Sequence, residues 1–175
     1  MTVGAHERHV RAGGDPNIRK VDALVGVVVH SFEEAHDVDA ALQRLGVTLL
    51  AALLKPDLIR LRRLVIATAD RFPEVAQSWY QAGFGRVLHS LADGFSDLHK
   101  KGLLRVPDAP LAAQHFAGLL LWIPLNRAMF GATTDTPSKH EVERLVKDGV
   151  RAFLSGYQPP EAQVSQKLKR SIKKP

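Results

Sequence analysis

Side chains capable of catalysis or ligation are thinly spread in this sequence. Its 175 residues include eight histidines and no cysteine, which excludes disulfides, thiolate nucleophiles and cysteine-ligated metals. His6 and His9 stand in an H-x-x-H spacing. Two ligands on a segment without apolar periodicity do not make a tetrahedral centre, so no metal is expected there. His89 and His115 fall among apolar helical positions, where a lone imidazole is ordinarily a hydrogen-bonded core or pocket residue. The chain contains no G-x-S-x-G elbow, no H-E-x-x-H and no phosphate-binding G-x-x-x-x-G-K loop. Gly83-Phe84-Gly85 lacks the preceding strand that a dinucleotide loop requires. The carboxylates are scattered along helix surfaces, where lysine and arginine are nearer partners than one another. Neither enzymatic activity nor a cofactor is expected.

A different kind of site is within reach of this composition. Phe72, Trp79, Phe84, Phe95, Trp122 and Phe130 are interleaved with aliphatic residues, and Arg62, His89, His115 and Asn126 lie among them as polar points. Small-molecule pockets have this make-up, mostly apolar walls with a few placed polar groups. The same aromatics could instead simply fill the core. Residue types alone leave both readings open, and the candidate pocket residues are Arg62, Phe72, Trp79, Phe84, His89, Phe95, His115, Trp122 and Asn126.

The elements that would position these residues are helices. Val21, Leu24, Val25, Val28 and Phe32 recur at three and four, predicting a first amphipathic helix from Ile18 to about Ala35. Asp37 is the expected N-cap of a second, through Leu42, Leu45, Leu49, Leu50 and Leu53. Pro56 opens a third, over about 56–71, with Leu58, Leu61, Val65, Thr68 and Phe72 on its inner stripe, Arg62 at the stripe's edge, and Arg60, Arg63, Asp70 and Arg71 toward solvent. Pro73 ends it and begins a fourth, roughly 73–101, with Phe84, Leu88, Leu91, Phe95 and Leu98 inward. Gly83 and Gly85 weaken the middle of that helix by about 1 kcal/mol each relative to alanine, so a kink or a close approach by another backbone is expected there.

Asp108 and Pro110 open a fifth helix, about 109–130, which is apolar nearly all round through Phe116, Leu119, Leu120, Leu121, Trp122, Ile123 and Leu125. Such a helix must be covered on both sides, and a partner subunit is the simplest second cover. The last helix starts at Ser138 and Glu141, in capping-box spacing, and runs through Val142, Leu145, Val146, Val150, Phe153 and Leu154 to a stop at Gly156. No strand pattern and no repeat appear. The fold class is all-α, a bundle of about six helices over residues 18–156, between an irregular lead-in at 1–17 and a basic tail at 157–175 expected to be disordered.

Charge placement narrows the function further. The net charge is +6, of which residues 157–175 carry +4 and residues 1–20 carry +2, so residues 21–156 are neutral. A neutral body with basic ends is not a nucleic-acid face by composition. The longest apolar run, Ala117 to Ile123, is far short of the roughly 20 residues that span a bilayer, and no signal peptide is readable, so a cytoplasmic protein with no membrane partner is expected.

Residues 52–95, ALLKPDLIRLRRLVIATADRFPEVAQSWYQAGFGRVLHSLADGF, resemble the C-terminal domain of TetR/AcrR-type transcriptional regulators, most specifically in RRLVIATADRFPEVAQSWY. GLLRVPDAPLAAQHFAGLLLW, residues 102–122, resembles the next piece, and residues 20–54 resemble the linker helix and the first helix of that domain. The resemblance implies a regulator, with repression as the expected sign, whose C-terminal half binds a small hydrophobic effector and forms a homodimer through its last two long helices. Carried over, the dimer surface lies within 109–130 and 138–155, with Phe116, Leu119, Leu120, Ile123, Val142, Leu145, Val146 and Val150 as candidates. Effector binding in that family alters the spacing of two helix-turn-helix units, which requires that the effector bind the two states unequally. Only 17 residues precede Ile18 here and they show no helix-turn-helix pattern, so the DNA reader is expected to be missing or truncated, and DNA is a partner only if an upstream one exists. The alternative is an interaction protein deficient in DNA binding that dimerises with full-length relatives.

Overall fold

Helix starts in this chain are set by local chemistry. Asp37 accepts a hydrogen bond from the Ala40 amide at 3.1 Å, and Asp108 accepts from the Leu111 amide at 2.9 Å. Ser138 and Glu141 close a reciprocal capping box, the Glu141 carboxylate taking the Ser138 amide at 2.8 Å. Each satisfies amides that the first turn of a helix leaves without partners. Pro56 and Pro73 occupy first-turn positions, where a missing N–H costs nothing.

In the computed structural model, which describes residues 16–33, 37–131 and 137–159, these starts yield seven α-helical segments and no strand among the described residues. They are α1 (Pro16–Glu33), α2 (Val38–Leu53), α3 (Pro56–Thr68), α4 (Pro73–Tyr80), α5 (Arg86–Lys100), α6 (Ala109–Met129) and α7 (Lys139–Tyr157). A π-helical turn, Gln81–Gly85, joins α4 to α5 without a break, so the two form the single fourth helix expected from the sequence. The irregularity falls on the expected glycines, and the backbone that comes close is the turn's own: a Cβ added at Gly85 would lie 3.3 Å from the Tyr80 carbonyl oxygen, whereas one at Gly83 would meet nothing within 4 Å. The H-x-x-H pair, the lead-in as far as residue 15 and the tail beyond residue 159 lie outside the described residues.

The core sits between α1, α2, α5, α6 and α7. Its centre is aromatic. Phe95 meets Phe32 and Phe116 edge-on, at 5.3 Å and 5.6 Å between ring centres, and Phe153 at a tilt of 31°, at 5.0 Å. Edge-to-face and offset pairs at such distances add to the burial of the rings themselves. Gly94 makes the Phe32 contact possible, since a Cβ there would lie 2.1 Å from Phe32 Cδ2. The link from α5 to α6 turns at Gly102, whose φ of +71° is the left-handed conformation that ends a helix. Leu104 and Val106 then tuck under it, with the His99 Nδ1 accepting from the Val106 amide at 3.3 Å.

Three boundaries and faces differ from the sequence reading. Helix α3 ends at Thr68, whose hydroxyl donates back to the Leu64 carbonyl at 2.9 Å. Its buried residues are Ile59 and Arg62, while Leu58, Leu61, Val65 and Thr68 are half-buried and Phe72 is exposed. The inner face is therefore turned toward Arg62, because α3 packs against α4 and α6 at the bundle's margin and not into its centre. Gly156 does not end α7, which continues to Tyr157, where the Tyr157 ring stacks on Phe153 at 4.5 Å.

Candidate functional site

Because α3 and α4 stand off the five-helix core, they leave a space between themselves and α5–α6. This cavity, of about 620 Å³, falls within the size range of small-molecule sites. Helix α3 contributes Arg62, Val65, Ile66 and Ala69, residues on one face by three- and four-residue spacing. Helix α4 contributes Ala76, Trp79 and Tyr80, the π turn Phe84, and α5 Leu88. Helix α6 forms the far wall with Gln114, Ala117, Gly118, Leu121, Trp122 and Leu125, again at helical spacing. Leu53 closes the end of α2 against it.

Four of the sequence-predicted pocket residues are thus brought together: Arg62, Trp79, Phe84 and Trp122. The Arg62 guanidinium carbon lies 5.6 Å from the centre of the Trp79 ring, within reach of a cation–π attraction. Burial pushes the Arg62 pKa down from its ordinary value. The other five lie elsewhere. Phe95 is sealed in the aromatic core. Phe72 is exposed at the α3–α4 corner with the Arg71 guanidinium 5.3 Å above its ring. His89 lies on the opposite face of α5, exposed, with Nε2 3.7 Å from Asp93 Oδ2, and borders a shallow recess of about 450 Å³ that also touches Val25 and Arg86. His115 follows the wall residue Gln114 on α6 but faces another way, its Nδ1 2.7 Å from the Tyr157 hydroxyl. Asn126 donates to the Trp122 carbonyl at 2.7 Å, a local bond along its own helix. A polar residue between apolar ones can face either way from a helix, and these faced away.

The residues that the sequence reading missed carried a usable signal. Val65, Ile66 and Ala69 share the Arg62 stripe, and Gln114, Ala117, Gly118, Leu121 and Leu125 share the Trp122 stripe. Following the helical period outward from Arg62 and Trp122 would have found both walls.

The expected dimer-face residues divide in the same manner. Phe116, Leu120, Val146 and Val150 are buried within the chain's own core, so a partner cannot touch them. They lie on the sides of α6 and α7 that face each other and α5. Val142 and Leu145 are half-buried against that core. Only Leu119, 46% exposed, and Ile123, 60% exposed, reach the surface, together with Trp122 at 66%. Helix α6 therefore has a buried face and an exposed apolar face, and α7 a buried face and a charged one.

The described residues thus form an all-helical bundle with an apolar cavity between its marginal and central helices. Residues 40–159 match the family of AefR-like transcriptional repressor C-terminal domains. A TetR-family transcriptional regulator from Mesorhizobium loti MAFF303099 is 41% identical, with a TM-score of 0.76 over 81% of this chain and 69% of that one. The flavonoid-responsive regulator FrrA shares the fold at 18% identity, with a TM-score of 0.66 over 78% of this chain and 74% of that one. A comparison with curated proteins gives no match. The chain belongs to the TetR family of transcriptional regulators and comprises its C-terminal domain over residues 40–159. No group of three or more histidine, aspartate or glutamate side chains among the described residues could hold a metal ion. No described helix is long and apolar enough to cross a membrane.

Proposed function

We propose that this chain is the effector-sensing and dimerising part of a TetR-type regulator, with the cavity between α3, α4, α5 and α6 as the effector site. The observation that carries this reading is the cavity itself. Its walls come from five helices and the π turn, are largely apolar, and include both tryptophans of the chain. A core built only for stability closes such spaces, since voids cost packing energy. An effector that fits only one spacing of α4 against α6 shifts the population toward it, as unequal binding requires.

Dimerisation is assigned to the exposed apolar face of α6, centred on Leu119 and Ile123 with the flanking surface of α7. This revises the candidate surface toward the residues that a partner can touch. Sedimentation tests it: the protein should run as a dimer at micromolar concentration, and Leu119→Arg combined with Ile123→Arg should run as a monomer with its helical content intact. A wild-type protein that sediments as a monomer would refute the assignment. DNA reading is not assigned to any described residue.

A further inference from the structure

The cavity contains one charged side chain. Arg62 is 9% exposed, and its Nη1 is closed off from solvent with no acceptor in reach. Among the described residues no ion pair or hydrogen bond compensates it, and its guanidinium carbon lies over the face of Trp79. The remaining polar side chains of the wall are Gln114, Trp79 and Tyr80, all neutral. Burial alone accounts for the depressed guanidinium pKa, with no carboxylate acting against it. An arginine presents five N–H donors in a planar fork, and leaving its buried Nη1 unpaired is costly. The arrangement lacks a planar, anionic acceptor.

Resting on the reading of this cavity as the effector site, we propose that its ligand is an organic acid, with the carboxylate held by the Arg62 fork and the apolar body against Phe84, Leu121 and Trp122. Arginine and carboxylate match in shape, so two parallel N–H···O bonds fix the head group while the apolar walls select the tail. A neutral ligand of the same size fills the space and leaves the guanidinium charge unmatched. Specificity for the head group follows from the penalty on the unpaired state.

The test compares octanoate with octan-1-ol, two probes of equal chain length that differ in the head group. Trp79 and Trp122 are the only two tryptophans of the chain and both line the cavity, so intrinsic fluorescence reads binding at the site directly. Octanoate should bind about 10- to 100-fold tighter than octan-1-ol, the ratio given by a hydrogen-bonded charge pair. Arg62→Met should bind both probes with equal affinity and melt at a higher temperature than the wild type without ligand, because an unpaired buried cation has been replaced by an apolar side chain of similar volume. Arg62→Lys, which keeps the charge, should retain part of the preference.

Equal affinities in the wild type, or an acid preference that survives in Arg62→Met, would overturn the acid assignment while octan-1-ol binding still supported the effector site. A lower melting temperature for Arg62→Met would also overturn it, by making Arg62 a structural clamp on Trp79. If neither probe alters the fluorescence, the effector-site reading falls together with the inference.

Discussion

Two aromatic clusters meet along α5 and α6 and have opposite characters. Phe32, Phe95, Phe116 and Phe153 are sealed at the centre of the bundle, ring edge against ring face. Trp79, Phe84 and Trp122 stand around open space, with an arginine among them. Helices α5 and α6 border both. What separates the two clusters is the backbone. Around Phe95 a glycine lets α1 come close, whereas around Phe84 the backbone widens into a π turn and α3 stays at the margin. Aromatic content by itself does not distinguish a core from a pocket, and the helix spacing does.

The contrast can be broken at its strongest point by Phe95→Ala. That change should cost about 3–5 kcal/mol, as loss of a fully buried ring does, measured as the shift in a urea unfolding curve at unchanged slope. A cost below 1 kcal/mol would mean that the central cluster is as loosely filled as the cavity. Gly94→Ala should cost about 1–3 kcal/mol by overpacking against Phe32, and Gly94→Ala combined with Phe32→Leu should recover part of it. Additive losses in the double variant would deny the contact.

Trp122→Ala marks the other end of the scale. With 66% of Trp122 exposed, stability should change by no more than about 0.5 kcal/mol, while binding of apolar probes should weaken measurably. A large loss of stability there would move Trp122 from the pocket wall to the core.

Much of the fold was legible because helix ends are written in local chemistry. Asp37, Pro56, Pro73, Asp108 and the Ser138–Glu141 box each mark a start by a bond or a missing donor, and such signals need no tertiary context. The inward stripes of α1, α2 and α7 were equally legible, since each has a single apolar face. Helices α3 and α6 were not. On α3 the apolar run Leu58–Leu61–Val65 competes with Ile59 and Arg62, and packing against α4 and α6 buries Ile59 and Arg62 while Leu58, Leu61 and Val65 stay half-buried. On α6 apolar residues run around the whole circumference, so periodicity does not separate Phe116 and Leu120, which face inward, from Leu119 and Ile123, which do not. The placements of His89 and His115 fell outside the cavity for a related reason: a residue's neighbours in sequence do not share its azimuth.

The π turn has a geometrical consequence for that azimuth. Five steps of an ideal α-helix set two side chains about 140° apart, so Trp79 and Phe84 would look in different directions. A turn closed by i→i+5 bonds narrows that angle, and here both rings border the same cavity. The turn works as a phase shift along a continuous rod, letting α4 aim at one target while Leu91 and Phe95 on α5 aim at another. Taking one residue out between Gln81 and Gly85 would restore the regular screw, and the two halves would then have to share a single bearing.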